Sequence, residues 1–368
     1  MLLGEMSMAK TPEIDLRDSL VGNNLIINGD MSISQRGTNF VSPATASYTL
    51  DRWKYWKTGA MVHTISQDSD VPTFAQSGQY FSNSLRMNLT TPDDSIASND
   101  YCLIEQRIEG YNFRKIVGRP FTISFWVKST SIGIRTVAFR NTGLDRAYVA
   151  EYTIDSANTW EKKVITVLAP PSTGTWDYSN GTGLIVSFIL VAGSIYNTTK
   201  DIWQTGTPIN TAVAGNGTAT GSTDFRITGV MLNEGTEALP FSLAGGNFDG
   251  EARLCQRYFS KSAKLSDGLY NSALGTTRRL VSAVSPLFGA SDGGISFPVY
   301  MRAAPLVRLY PRMLSSSGGQ VLINGSLASA GPSNPSEVGF TEVFNSSLSV
   351  TWSASSTLEY NYTADAEL

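Results

Sequence analysis

FTISFWVK, residues 121–128, is the stretch on which the fold turns. Phe121, Ile123, Phe125 and Val127 fall on one parity, and Thr122, Ser124, Trp126 and Lys128 on the other. A period of two is that of a strand with one face in a core, and it leaves Trp126 on a largely polar face. The signal returns in KKVITVLAP at 162–170, GLIVSFILVAG at 183–193 and DFRITGVML at 224–232. Between these lie PPSTGTWDYSNGTG at 170–183 and TPINTAVAGNGTATGST at 207–223. Glycine admits positive backbone angles, and Asn and Thr bond to nearby backbone, so both sections read as loops. Strands without long helices between them predict an all-β chain built as a β-sandwich rather than a βα fold.

The rest of the chain sorts around that body. Residues 1–25 form an N-terminal arm, in which Pro12 followed by EIDLRDSL could open a short helix. Residues 26–243 are the sandwich, and 244–264 a linker with a short amphipathic helix. In DGEARLCQRYFSKS, Asp249 is positioned to cap a helix starting near Glu251, with Leu254, Cys255, Tyr258 and Phe259 as its apolar stripe. Residues 265–368 read as a second, smaller β domain. There Pro298, Pro305 and Pro311 break short strands, since proline removes a ladder donor.

The chain has 368 residues, 16% of them charged, and a formal net charge of −3. That balance argues against nucleic acid as a partner. Leu184–Ala192 is the longest apolar stretch and spans nine residues, whereas a membrane-spanning helix needs about 20, so no membrane insertion is expected. The opening MLLGEMSMAK does not have the form of a signal peptide. Cys102 and Cys255 allow one bridge at most.

Enzyme signatures are missing. His63 is the sole histidine. It shares strand parity with Met61 and Ile65, which suits a structural role better than catalysis. No nucleophile elbow and no phosphate-binding glycine loop occur. No catalytic residue is assigned and no cofactor is required. Asp93, Asp94, Asn99 and Asp100 in TTPDDSIASND supply oxygen ligands of the kind a structural Ca²⁺ takes, without an EF-hand pattern. Aromatics are the richer inventory. DRWKYWK holds Trp53, Tyr55 and Trp56, with Trp53 and Tyr55 on one face of a strand. Trp176 with Asp177, Tyr178 and Asn180 sets ring faces beside hydrogen-bonding groups in a loop, which suits a sugar. Trp126 is the other glycan-binding candidate.

Several motifs together resemble bacteriophage tail-fibre or receptor-binding virion proteins. They are NLIINGDMSISQRG (24–37), YTLDRWKYW (48–56), CLIEQRIEG (102–110), FTISFWVKS (121–129), FRITGVMLNEGTEALPF (225–241) and EARLCQRYFSKS (251–262). The opening and FTISFWVKS also resemble jelly-roll carbohydrate-binding modules. The resemblance implies a jelly-roll sandwich in a non-enzymatic, trimeric virion component at the tail or surface, made in the bacterial host cytoplasm. It further implies contacts with other virion proteins, here assigned to residues 1–25, and with host surface polysaccharide. A purely architectural head-fibre, decoration or tail-assembly role and a polysaccharide depolymerase are the competing accounts.

Overall fold

Alternation in β7 (residues 121–129) meets its counterpart on a facing sheet, and the body of the chain is built from that meeting. A computed structural model describes residues 24–264, 277–281, 295–311, 319–323, 326–344 and 356–368. Most of the proposed N-terminal arm lies outside the described residues. The strands of the body are β1 (Asn39–Val41), β2 (Ser47–Tyr48), β3 (Lys54–Lys57), β4 (Val62–Asp68), β5 (Ser84–Thr91), β6 (Tyr101–Glu109), β7 (Phe121–Ser129), β8 (Gly133–Arg140), β9 (Arg146–Ile154), β10 (Glu161–Val167), β11 (Thr182–Ala192), β12 (Trp203–Thr205) and β13 (Asp224–Glu234). Short helices α1 (Phe74–Ser77) and α2 (Gly110–Phe113) lie in the connections after β4 and β6.

Among the described residues, six strands pair in the order β1-β4-β5-β13-β7-β10 and seven in the order β12-β9-β8-β11-β6-β3-β2. Successive strands pass repeatedly from one sheet to the other, the wiring of a jelly-roll sandwich. Phe121, Ile123, Phe125 and Val127 are fully buried, as their parity predicts. Phe125 meets Phe188 of β11 edge-on at 5.0 Å, and Phe121 meets Phe139 of β8 at 5.3 Å. Trp53 and Tyr55 share the same interior. Between Thr228 and Met231 the β13–β7 register shifts. Gly229 sits in that bulge at φ +59°, where a Cβ would lie 2.7 Å from the ring of Phe81.

The segment from Asn24 to Gln35 threads the base of the sandwich. Asn28, fully buried, donates from Nδ2 to the carbonyls of Ile33 and Asp51, and its own carbonyl accepts from the Trp53 indole. Helix α3 (Phe248–Gln256) packs beside it, through Ala252 and Cys255 against Ile27 and Ile33. Its cap is Asn247 rather than Asp249, because the extended backbone at Asn247 aims the side-chain oxygen at the Gly250 amide. Asp249 instead joins Glu251 in the first turn, at the positive end of the helix dipole. The apolar stripe is also divided, since the helix ends at Gln256 and Phe259 opens β14 (Phe259–Lys261).

Among the described residues, strands β15 (Thr277–Val281), β16 (Ile295–Ser296), β17 (Leu306–Tyr310), β18 (Gln320–Ile323), β19 (Ser326–Ser336), β20 (Gly339–Phe344) and β21 (Ser356–Asp365) complete an eight-stranded sheet with β14. Pro305 and Pro311 flank β17, one residue outside each end. Their own core holds Phe297, Met301, Leu309, Phe340, Tyr360 and Tyr362. Strand β14 pairs with the end of β21, so the last residues return to the base of the sandwich. There Glu367 reaches Arg52 and Arg36, and Tyr48 donates to the carbonyl of Leu368.

Replacing Phe125 by alanine should cost about 3–5 kcal/mol of stability in chemical denaturation. Trp126→Ala, one residue along on the other face, should cost clearly less. Equal losses would contradict the assigned parity.

Candidate functional site

The four loop candidates gather at one edge of the sandwich. The Trp176 ring is half-buried and stacks on Phe113 of α2 at 5.1 Å and 16°, while Trp203 meets it edge-on at 5.7 Å. Its indole donates to the Thr173 carbonyl. Tyr178 lies nearly parallel to Phe113 at 6.2 Å and is 42% exposed, the most open ring of the group. Asp177 accepts from the Ser179 amide and hydroxyl, and these bonds, the amide first, hold its carboxyl below the usual range. Asn180 is exposed, and its carbonyl accepts from Arg302. Trp126 stands apart, half-buried on the outer face of the six-stranded sheet between Lys162 and Thr228.

The proposed calcium ligands are engaged with loop amides. Asp93 accepts from Ala60 and Ser95, Asp100 from Ala97, and Asp94 from the Thr220 amide and hydroxyl. The Asn99 carbonyl accepts from Thr58. Asp93 and Asp100 both turn a carboxylate oxygen toward Gly59. Among the described residues no three His, Cys, Asp or Glu side chains converge as a metal site.

A second constellation lies on the outer face of the seven-stranded sheet. Cross-strand register sets Lys54 beside Glu105 and Glu105 beside Ser187, with Arg107, Ile185 and Arg140 forming the adjacent row. Glu105 is only 1% exposed. Its Oε1 accepts from the Trp56 indole at 2.9 Å and from Arg107 Nε at 3.0 Å. Its Oε2 accepts from Arg140 Nη2 at 3.0 Å and from the Ser187 hydroxyl at 3.3 Å. A buried carboxylate is tolerable only when so surrounded. The Lys54 ammonium rides over the rings of Trp56 and Tyr48 at 5.0 and 4.9 Å. Burial first, and then Arg107, draw its pKa down. Burial likewise lowers Arg140, against the pull of Glu105.

Beside this group an apolar floor of Leu103, Ala138, Val149 and Ile189 is roofed by Ile209. The roofing loop is pinned where Thr136 donates to the Ile209 carbonyl and Asn210 side chain, and where Lys200 and Thr211 bond to Glu151. Tyr101 and Tyr196 meet edge-on at 5.4 Å along the same side. The result is a face that carries half-buried aromatic rings and fixed hydrogen-bonding groups. A ring face takes the C–H face of a sugar, and planar charged forks take its polar edge.

The sequence held half of this signal. Trp56 has the opposite parity to Trp53 and Tyr55, so it had to emerge on the outer face. Nothing in the order of residues joins Glu105 to Arg140, which only the β6–β11–β8 register brings together.

No family model matches the sequence, and no curated protein matches it significantly. Among solved structures, a CBM4 protein is similar over 56% of this chain and 98% of its own, at 14% identity and a TM-score of 0.31. A family 11 carbohydrate-binding module from Clostridium thermocellum covers 55% of this chain and 99% of its own at 12% identity, with a TM-score of 0.28. A cyclase from Fischerella sp. TAU is similar at 10% identity over 55% of this chain and 91% of its own, with a TM-score of 0.30. Likenesses this distant do not transfer a ligand or a reaction.

His63 is buried among Tyr55 and Cys102, with Nδ1 2.9 Å from the tyrosine oxygen. Burial, and secondarily Lys57, push its pKa from 6.5 down to about 4. Between those two values the unfolded chain binds a proton that the fold refuses, so stability falls as pH drops through that window. The loss totals about 3 kcal/mol. The single imidazole should titrate near pH 4 by NMR, and His63→Gln should flatten the stability profile across that interval. A midpoint near 6.5 in the folded protein would refute the assignment.

Proposed function

We propose that this chain is a non-catalytic, carbohydrate-binding subunit of a bacteriophage surface appendage, with the outer face of the seven-stranded sheet as its binding surface. The observation that carries the reading is the Trp56–Glu105–Arg107–Arg140 group, in which an indole and one nitrogen from each of two guanidiniums bond to one carboxylate. Pre-set donors beside a ring lower the ordering cost of binding, and that cost dominates for flexible glycans. The virion setting rests on the ordered motifs from residue 24 to 262. In that setting residues 1–25 attach the subunit to the particle, and three copies add weak contacts through avidity.

The edge group around Tyr178 and the outer-face Trp126 are further candidate contact points of the same assembly. An architectural role draws support from one feature. Phe74 and Tyr80 stack at 4.6 Å while 51% and 87% exposed, an apolar tip suited to a protein neighbour.

Glycan-array binding by the native oligomer should weaken at least about tenfold in Trp56→Ala, assayed on protein whose circular dichroism shows it folded, below the lowered midpoint that loss of a Glu105 donor brings. Loss in Tyr178→Ala or Trp126→Ala instead would move the site to the corresponding surface. An oligomer that binds no glycan would favour the architectural role, and release of reducing ends from host polysaccharide would establish a depolymerase. Particles made without residues 1–23 should lose the subunit in negative-stain images, and unchanged incorporation would remove the attachment role.

A further inference from the structure

Resting on the carbohydrate-binding reading, we infer that this face selects an acidic polysaccharide, one bearing carboxylate groups. The argument is an inventory of donors and acceptors. Glu105 contributes two oxygens, each already holding two donors from Trp56, Arg107, Arg140 and Ser187. A neutral sugar hydroxyl both donates and accepts, so a surface whose Glu105 is saturated, and whose Glu151 is held by Lys200 and Thr211, offers such a ligand few acceptors.

The cations are in the reverse condition. Arg107 commits Nε to Glu105, and both of its terminal nitrogens lack a protein acceptor among the described residues. Among the described residues Lys54 has no carboxylate within ion-pair distance, and its ammonium rests over Tyr48 and Trp56. Asp365 and Glu367, the next carboxylates to act on Lys54, are engaged by Arg36 and Arg52. Arg140 is secured to Glu105, Ser187 and Thr207, while its Nε is buried without a partner. Around Glu105, three cations therefore share one carboxylate whose oxygens are already filled. A ligand carboxylate accepts hydrogen bonds and donates none, which matches the free fork of Arg107 and the unpaired ammonium of Lys54. The lowered pKa of Lys54 has the same origin, a cation half withdrawn from water beside another cation.

Affinity electrophoresis of the full oligomer against alginate, polygalacturonate and hyaluronan, each beside its carboxyl-reduced neutral form, tests the inference. At least one acidic polymer should bind, and carboxyl reduction should weaken it about tenfold or more. Raising NaCl from about 50 to about 500 mM should weaken it similarly. Arg107→Gln should also reduce it about tenfold, assayed below the lowered midpoint that loss of a Glu105 donor brings, and Lys54→Gln should reduce it several-fold with an unaltered midpoint. Equal binding of the reduced forms would overturn the charge selection and leave the carbohydrate reading intact. Equal binding of single-stranded DNA would overturn it as mere polyanion capture. Failure of every polymer, acidic or reduced, would overturn it too, and the neutral-glycan array then decides whether the broader reading falls with it.

Discussion

One sheet of this protein is withdrawn from water on both faces, and a single carboxylate sets the terms on which that is possible. The inner positions of β6, β8 and β11, such as Ile104, Phe139 and Phe188, fill the space between the sheets. The outer positions are nearly as dry, with Leu103, Ala138 and Ile189 under a loop and Glu105 at 1% exposure. A carboxylate there costs several kcal/mol unless its lone pairs are met. Trp56, Arg107, Arg140 and Ser187 meet them from four strands, so the charge fixes the mutual position of those strands. The group proposed as the binding surface is thus also what holds that surface together.

The base of the sandwich is closed by a second set of buried charges. Arg52 is 1% exposed, lies over the Tyr258 ring at 3.5 Å and pairs with Glu367 from the far end of the described chain. Its other terminal nitrogen donates to the carbonyl of Arg107. Glu109 receives Arg257 and the Tyr258 hydroxyl just beyond. The strand that carries Glu105 and Arg107 is therefore gripped at one end by the linker helix and the returning C-terminal strand. Removing one member of such a group leaves its partner charged and buried, which destabilises far more than the intact pair contributes.

Period-two patterns made much of this legible. The inward set of β7, the shared interior of Trp53 and Tyr55, and the prolines bounding β17 all follow from local chemistry. Local chemistry was less decisive where two residues could serve the same purpose. Asn247 and Asp249 both make good caps, and only the extended backbone at Asn247 selected it. The Glu105 group lay further out of reach, because a register over 35 positions of chain decides whether Arg140 arrives beside it. The outer face also lacks the clean alternation that marks a wet surface, since its apolar residues are covered by the loop from 194 to 211.

Trp56 and Trp176 illustrate how placement, rather than residue type, separates a binding ring from a packing ring. Trp176 lies in a polar loop, a setting that favours exposure. Its indole nevertheless closes the sandwich edge, with one face on Phe113 and its N–H spent on Thr173. Trp56 lies in a strand, a setting that favours burial. Its parity carries it outward, where its N–H is spent on Glu105 and a cation rests over the ring. An immobile ring with charged neighbours has little freedom left to lose when a ligand arrives, whereas an exposed loop ring such as Tyr178 must first be ordered. By that measure the strand-borne tryptophan is the better anchor, although the loop carries the more obvious sequence signal.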